Sequence, residues 1–216
     1  MTNKKRTVLG AGCLVLAAAG SQLRNNESAP QRQALELPPF TASSITIEQD
    51  VREYAQRLET AYQLSPEKAY TYSNYILESA EYSDVPKELL AALIHTESHF
   101  RDDVISVVGA VGPAQIMPQL WNAACGDVHE PRTNILCAGV VLQHYKRRFC
   151  ADDSAPYACA LSNYNVGPGN LRRRPDSSLA AANRYLNKMS NALAVYDEVM
   201  VDLSMEREPI ILADVW

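Results

Sequence analysis

From about residue 45 to about Val201, apolar residues recur three and four apart, and no alternating apolar–polar run persists. That spacing fits the 3.6-residue period of a helix and not the two-residue period of a strand. The fold class is therefore all-α. Helices are expected over Thr46–Gln63, Pro66–Tyr82, Pro86 to about Ser98, Pro118–Ala124, Asn134–Arg148, about Ala155–Asn163, and from a cap at Ser178 to about Val201. Ser65-Pro66 supplies an N-cap and a proline at the first helical position. Asn165–Gly169 reads as a loop. Tyr70, Tyr72, Tyr75 and Tyr82 stand at helical spacing and read as core packing rather than as a sugar platform.

A chain of 216 residues, 47% apolar and 21% charged, can bury one substantial core. Its formal charge of −5 argues against a nucleic-acid partner, which needs a clustered basic face. The short run Arg172-Arg173-Arg174 reads as a solvated loop. The first twenty residues differ from the rest. Lys4, Lys5 and Arg6 precede an apolar stretch from Val8 to Ala19 that ends in small residues. Residues 1–20 are thus expected to be a secretory signal peptide, with an uncleaved anchor as the alternative. Residues 21–44, polar and broken by Pro30, Pro38 and Pro39, read as a flexible spacer. Residues 45–84 form an N-terminal helical extension, and the tail at 204–216 has no readable role.

Removing the export segment leaves Cys125, Cys137, Cys150 and Cys159. An even count in an exported chain favours disulfides, and four cysteines allow three connectivities. The sequence-local pairs Cys125–Cys137 and Cys150–Cys159 are the expected ones. A zinc site is the competing reading, but the chain has neither a CxxC pair nor a supporting histidine cluster.

One carboxylate stands out. Glu97 lies three, four and seven residues after Ile94, Leu93 and Leu90, so a helix places it on or beside the stripe of Leu89, Leu90, Leu93 and Ile94. Apolar surroundings disfavour the charged form and raise the pKa, as suits a general acid. The bland alternative is a buried structural ion pair. His95 and His99 have the spacing of a helical zinc pair. Glu97, however, lies about 200° from either of them around the axis, and no metal is expected.

Several motifs then fall in order: Glu97-Ser98-His99-Phe100, Ser106, Gly109 to Pro118 (GAVGPAQIMP), and Asn163 to Gly169 (NYNVGPG). Together they resemble the soluble lytic transglycosylase (SLT) domain, the goose-type-lysozyme-like group that cleaves peptidoglycan. Asn134-Ile135 and Arg184-Tyr185-Leu186 look like two further landmarks. The resemblance implies a lysozyme-like domain at 85–203 with Glu97 as its catalytic glutamate. It also implies that Ser106 lies near the substrate acetamido group and that Gln115 and Met117 line the glycan groove. Tyr164 would orient the carboxyl, with Asn165 as its structural partner, and Tyr185 would stand near the site. Pro113-Ala114 replaces the usual Leu-Met, Asn163 a usual Ala, and Val141 a common Tyr.

By the same resemblance, one glutamate serves where most glycosidases use two carboxylates, and no cofactor is required. The product carries a 1,6-anhydro ring on N-acetylmuramic acid. Two other readings stay open: a hydrolytic lysozyme in which Asp102 or Asp103 positions water, and a non-catalytic glycan-binding part of an envelope-spanning assembly. The expected partner is a peptidoglycan strand in the periplasm or cell envelope. Small exported domains of this group accompany secretion, conjugation or phage-entry assemblies.

Overall fold

The computed structural model describes residues 45–205, with side-chain surroundings from 48 to 198. The expected export segment, the spacer and the tail beyond Met205 lie outside the described residues. Among the described residues there are eight helices: α1 (Ile45–Tyr62), α2 (Pro66–Ser83), α3 (Lys87–Ser98), α4 (Pro118–Cys125), α5 (Pro131–Phe149), α6 (Pro156–Val166), α7 (Pro168–Arg173) and α8 (Pro175–Met205). Proline punctuates them. All but α1 and α3 begin on a proline, where its fixed φ suits the helix and its missing N–H would have no partner anyway.

Four expectations need correction. Asn165–Gly169 is not a loop: α6 continues through Val166, Gly167 alone breaks it at φ 83°, and Pro168 starts α7. One left-handed glycine is enough to separate two helices. The run Arg172–Arg174 therefore sits on and just after the last turn of α7 rather than in a loop. Ser178 does not cap α8, which starts at Pro175; it is buried one turn inside and its hydroxyl donates to the Asn170 carbonyl at 3.1 Å. Helix α5 also begins earlier than expected, because the Glu130 carboxylate caps it by accepting from the Arg132 and Thr133 N–H groups. That start puts Asn134 inside the first turn.

Helix α3 organises the core. Leu89, Leu90, Ala91, Ala92, Leu93 and Ile94 are all buried, so the apolar surface is a full collar rather than a stripe, the mark of a central helix. Helices α2, α5 and α8 pack around it. Helix α1 shares this core: the Tyr54 hydroxyl donates to the Lys87 carbonyl at 3.0 Å and that of Tyr62 to the Ala192 carbonyl at 3.2 Å. Residues 45–84 thus belong to the same packed body as the helices that follow. Among the tyrosines of α2, Tyr72 is core and Tyr70 is exposed.

Helices α2 and α5 meet at Gly139. A Cβ there would lie 2.5 Å from Ser83 Oγ and 2.6 Å from Ser79 Oγ, while the Ser79 hydroxyl donates to the Ile135 carbonyl at 2.9 Å. Gly139→Ala should therefore destabilise the fold by about 1–3 kcal/mol through overpacking, measured as a lower urea midpoint. An unchanged midpoint would show that the two serines yield without cost.

The disulfides are Cys125–Cys137, joining α4 to α5, and Cys150–Cys159, joining the end of α5 to α6, with Cα–Cα distances of 5.6 and 5.8 Å. These are the sequence-local pairs. Each contributes about 3 kcal/mol by restricting the unfolded chain. Asn163, where an alanine was usual, packs beside the second bridge, its amide nitrogen 3.7 Å from both sulfurs.

Candidate active site

Glu97 occupies the last turn of α3, where the helix leaves the core. Two consecutive left-handed residues follow, His99 (φ 55°) and Phe100 (φ 60°). Neither is glycine, so this turn costs about 1–2 kcal/mol per residue. Tertiary packing holds it. Phe100 is fully buried against Tyr62 and Tyr72, and the Tyr72 hydroxyl reaches the Phe100 carbonyl at 3.1 Å. Strain of this kind concentrates where geometry matters to function.

The chain then forms an irregular segment from Arg101 to Met117, with antiparallel bridges Ile105–Val111 and Val111–Ile116. Asn134 pins it from α5. This fully buried amide accepts from Ala114 N–H at 2.8 Å and donates to the Val111 and Val128 carbonyls at 2.9 and 2.7 Å. Gly112 faces it directly: a Cβ would lie 2.6 Å from Asn134 Nδ2, and φ is 73°. Gln115, also left-handed, braces its own segment by donating to the Val104 and Gly112 carbonyls at 3.1 and 3.0 Å. The Tyr164 hydroxyl, near the end of α6, donates to the Ala114 carbonyl at 2.7 Å.

The Glu97 carboxylate is held from α8. The Tyr185 hydroxyl donates to Oε1 at 2.7 Å. Burial lifts the Glu97 pKa to about 7, against the opposing pull of the Tyr185 hydrogen bond and the Lys188 ammonium. The groups acting on its charge include no second carboxylate among the described residues. Glu97 in turn helps push the hydroxyls of Tyr164 and Tyr185 upward, which places both in its field. A carboxyl that holds its proton near neutrality beside a fixed hydroxyl is equipped to give up that proton and take another back. Because Tyr185 favours the ionised form, Tyr185→Phe should move the alkaline limb of a kcat/KM profile to higher pH. A limb that stays in place would remove Tyr185 from control of this carboxyl.

The structure therefore brings Glu97, Tyr164 and Tyr185 together, but redistributes their roles. The hydroxyl on the carboxyl is that of Tyr185, whereas Tyr164 ties the irregular segment to α6. Ser106 is half-buried and its Oγ accepts from Ala110 N–H at 2.9 Å, closing a turn. Met117 precedes α4 and is half-buried. Asn165 is exposed in the last turn of α6. Asp102 is engaged elsewhere, 2.5 Å from the Tyr72 hydroxyl and 3.9 Å from Lys68 Nζ, both on α2. His95 stacks on Tyr62 with ring centroids 4.7 Å apart, and its ring lies 4.6 Å from that of His99. Pro113 and Ala114 are both buried, so the substitution of the usual Leu-Met falls inside the segment.

Sequence reasoning missed two contributors. Asn134 was visible as a landmark, but a polar residue in the first turn of a helix gives no sign that it will be buried. Lys188 follows Tyr185 by three residues, hence on the same face of a helix; that spacing was the available signal.

A family model described as the transglycosylase SLT domain matches residues 74–186. The match runs from the middle of α2 into α8 and contains Glu97, the pinned segment, Tyr164 and Tyr185. With these helices, this carboxyl and more than half of its length under that match, the chain belongs to the SLT-domain family, a lysozyme-like group that acts on peptidoglycan.

Proposed function

We propose that the protein is a lytic transglycosylase that cleaves the bond between N-acetylmuramic acid and N-acetylglucosamine, with Glu97 as its single acid and base. The observation that carries this is a carboxyl raised to about 7 by burial, with Tyr185 on one oxygen. The protonated Glu97 delivers its proton to the glycosidic oxygen as that oxygen leaves the anomeric carbon. The 2-acetamido group of the same sugar shares the positive charge. Glu97, now ionised, takes the proton from the muramoyl 6-hydroxyl as O6 bonds to the anomeric carbon. One C–O bond breaks, one forms, and the carboxyl ends as it began. No water enters the balance.

Hydrolysis on the same fold would need a group to position water. Asp102 is drawn toward Tyr72 and Lys68, which supports the single-carboxylate route over water held by that residue; Asp103 is exposed in the same turn. Mass spectrometry of digested cell wall decides the matter: fragments should end in 1,6-anhydromuramic acid, each lighter by one water than a lysozyme product. Reducing ends would establish hydrolysis instead.

The pH dependence follows from the same group. The acid form starts the reaction, so kcat/KM should fall as pH rises through about 7. A flat profile through neutrality would exclude Glu97 as the acid. We further propose an extracytoplasmic site of action in the cell envelope, with residues 1–20 as export signal or anchor. The two disulfides support that placement, since such bonds persist in oxidising compartments.

A further inference from the structure

The two disulfides differ in their surroundings. Cys125 and Cys137 are both buried, at 5% and 0% exposure. In the second bridge Cys150 is buried, but Cys159, in the first turn of α6, is only half-buried. Of the four bridged residues it is the most open to a thiolate from solution.

The second bridge also has a polar neighbour. Asn163 is itself buried, and its amide nitrogen donates to the Cys159 carbonyl at 2.9 Å and lies 3.7 Å from both sulfurs. An N–H beside a sulfur stabilises the thiolate released when the bond opens, and a stabilised leaving thiolate speeds exchange. Helix α6 acts in the same direction, because a thiolate in its first turn meets the positive end of the helix dipole. The alanine usual at position 163 would supply no such donor.

One helix couples this bridge to the catalytic carboxyl. Cys150–Cys159 fastens α6 to the end of α5. Tyr164 follows Asn163 on α6, stands in the field of Glu97, and donates its hydroxyl to the Ala114 carbonyl at 2.7 Å. Opening the bridge frees the start of α6 from α5 and so loosens the helix that carries Tyr164.

We propose that Cys150–Cys159 is an exchangeable disulfide, opened by a dithiol and closed by a disulfide-bearing oxidant, and that its opening lowers cleavage by loosening Tyr164. A thiolate of the reductant attacks Cys159 Sγ, the bond between the two protein sulfurs breaks, and Cys150 leaves as a thiolate beside the Asn163 amide. The second thiol of the reductant then displaces Cys159 from the mixed disulfide. Two electrons pass to the protein, each cysteine ends with a proton, and the reductant ends as a disulfide. Closure is the reverse exchange. The loss of cleavage rests on the glycan-cleaving reading of Glu97, whereas the exchange itself does not.

The test treats the full-length protein with dithiothreitol for increasing times, traps free thiols with iodoacetamide and maps them by mass spectrometry. Cleavage of cell wall and helical circular dichroism are followed on parallel samples. Cys150 and Cys159 should become free roughly tenfold faster than Cys125 and Cys137. Cleavage should fall roughly tenfold as that bridge opens, since small displacements remote from the chemistry have effects of this order. It should return on reoxidation, with the helical signal kept throughout. Asn163→Ala should cleave normally when oxidised and open roughly threefold more slowly. Equal opening of the two bridges, or full cleavage with Cys150–Cys159 open, would overturn the proposal. So would loss of the helical signal together with activity, which would assign the bridge to the fold, and an Asn163→Ala bridge that opens at the wild-type rate. If the oxidised wild type cleaves nothing, the reading of Glu97 fails and the switch with it, while the thiol map still decides the site of exchange.

Discussion

Glu97→Gln is expected to lower turnover of peptidoglycan by ~10²–10⁴-fold, the usual contribution of general acid–base catalysis, while glycan binding survives. Glutamine keeps the shape of the side chain and can still accept from the Tyr185 hydroxyl, but it has no transferable proton. The same substitution should stabilise the protein. A buried glutamic acid whose pKa is raised from the ordinary carboxyl range to about 7 binds its proton more tightly in the folded state. Its contribution to stability is most favourable below the unfolded pKa and is lost as pH rises through the folded one. Above pH ~8 the wild type therefore bears a cost of roughly 2–3 kcal/mol that the variant lacks. Thermal unfolding should show a higher Tm for Glu97→Gln in mildly alkaline buffer, and little difference near pH ~4. Wild-type cleavage by the variant would end the assignment of Glu97 as acid. An unchanged alkaline Tm would show that the carboxyl is better solvated than its surroundings indicate.

The second large effect lies at Asn134. Asn134→Leu preserves volume but leaves Ala114 N–H and the Val128 carbonyl without their partner inside the fold, while the Val111 carbonyl keeps the Ile116 N–H at 3.0 Å. Each buried polar group left unpaired costs about 1–3 kcal/mol; with partial relaxation, a loss of about 4 kcal/mol and a fall in Tm of roughly 10 °C is expected. Activity should fall further than stability alone explains, because Ala114 also receives the Tyr164 hydroxyl that joins this segment to α6. Hydrogen exchange offers the direct measurement. Amides between Val104 and Met117 should lose protection, whereas those of α3 should keep it at temperatures where the variant remains folded. Uniform loss across both would mean that Asn134 supports the whole core rather than the segment.

Much of this architecture was legible in the amino-acid order because it depends on neighbours. Helical periodicity, prolines that can start a helix but not continue one, and cysteines 12 and 9 residues apart on successive helices are local facts. They specify elements and short cross-links without reference to the rest of the molecule. Glu97 too was legible, through a residue pattern and its position on an apolar helix. Even local reading failed where one residue carried the decision. Gly167 separates two helices where five residues had suggested a loop.

What tertiary structure decided is which distant groups share a site. Tyr185 lies 88 residues from the carboxyl it holds, and no spacing rule could prefer it over Tyr164. That choice depends on how α8 lies against α3. The same packing buries α3 on every side and lifts the Glu97 pKa, and it turns Asn134 from a polar helix residue into the pin of the irregular segment between α3 and α4. Secondary structure follows from short-range sterics and periodicity. Burial, electrostatic field and hydrogen-bond partnership arise only when separate elements dock, so they belong to the folded chain and not to any stretch of it.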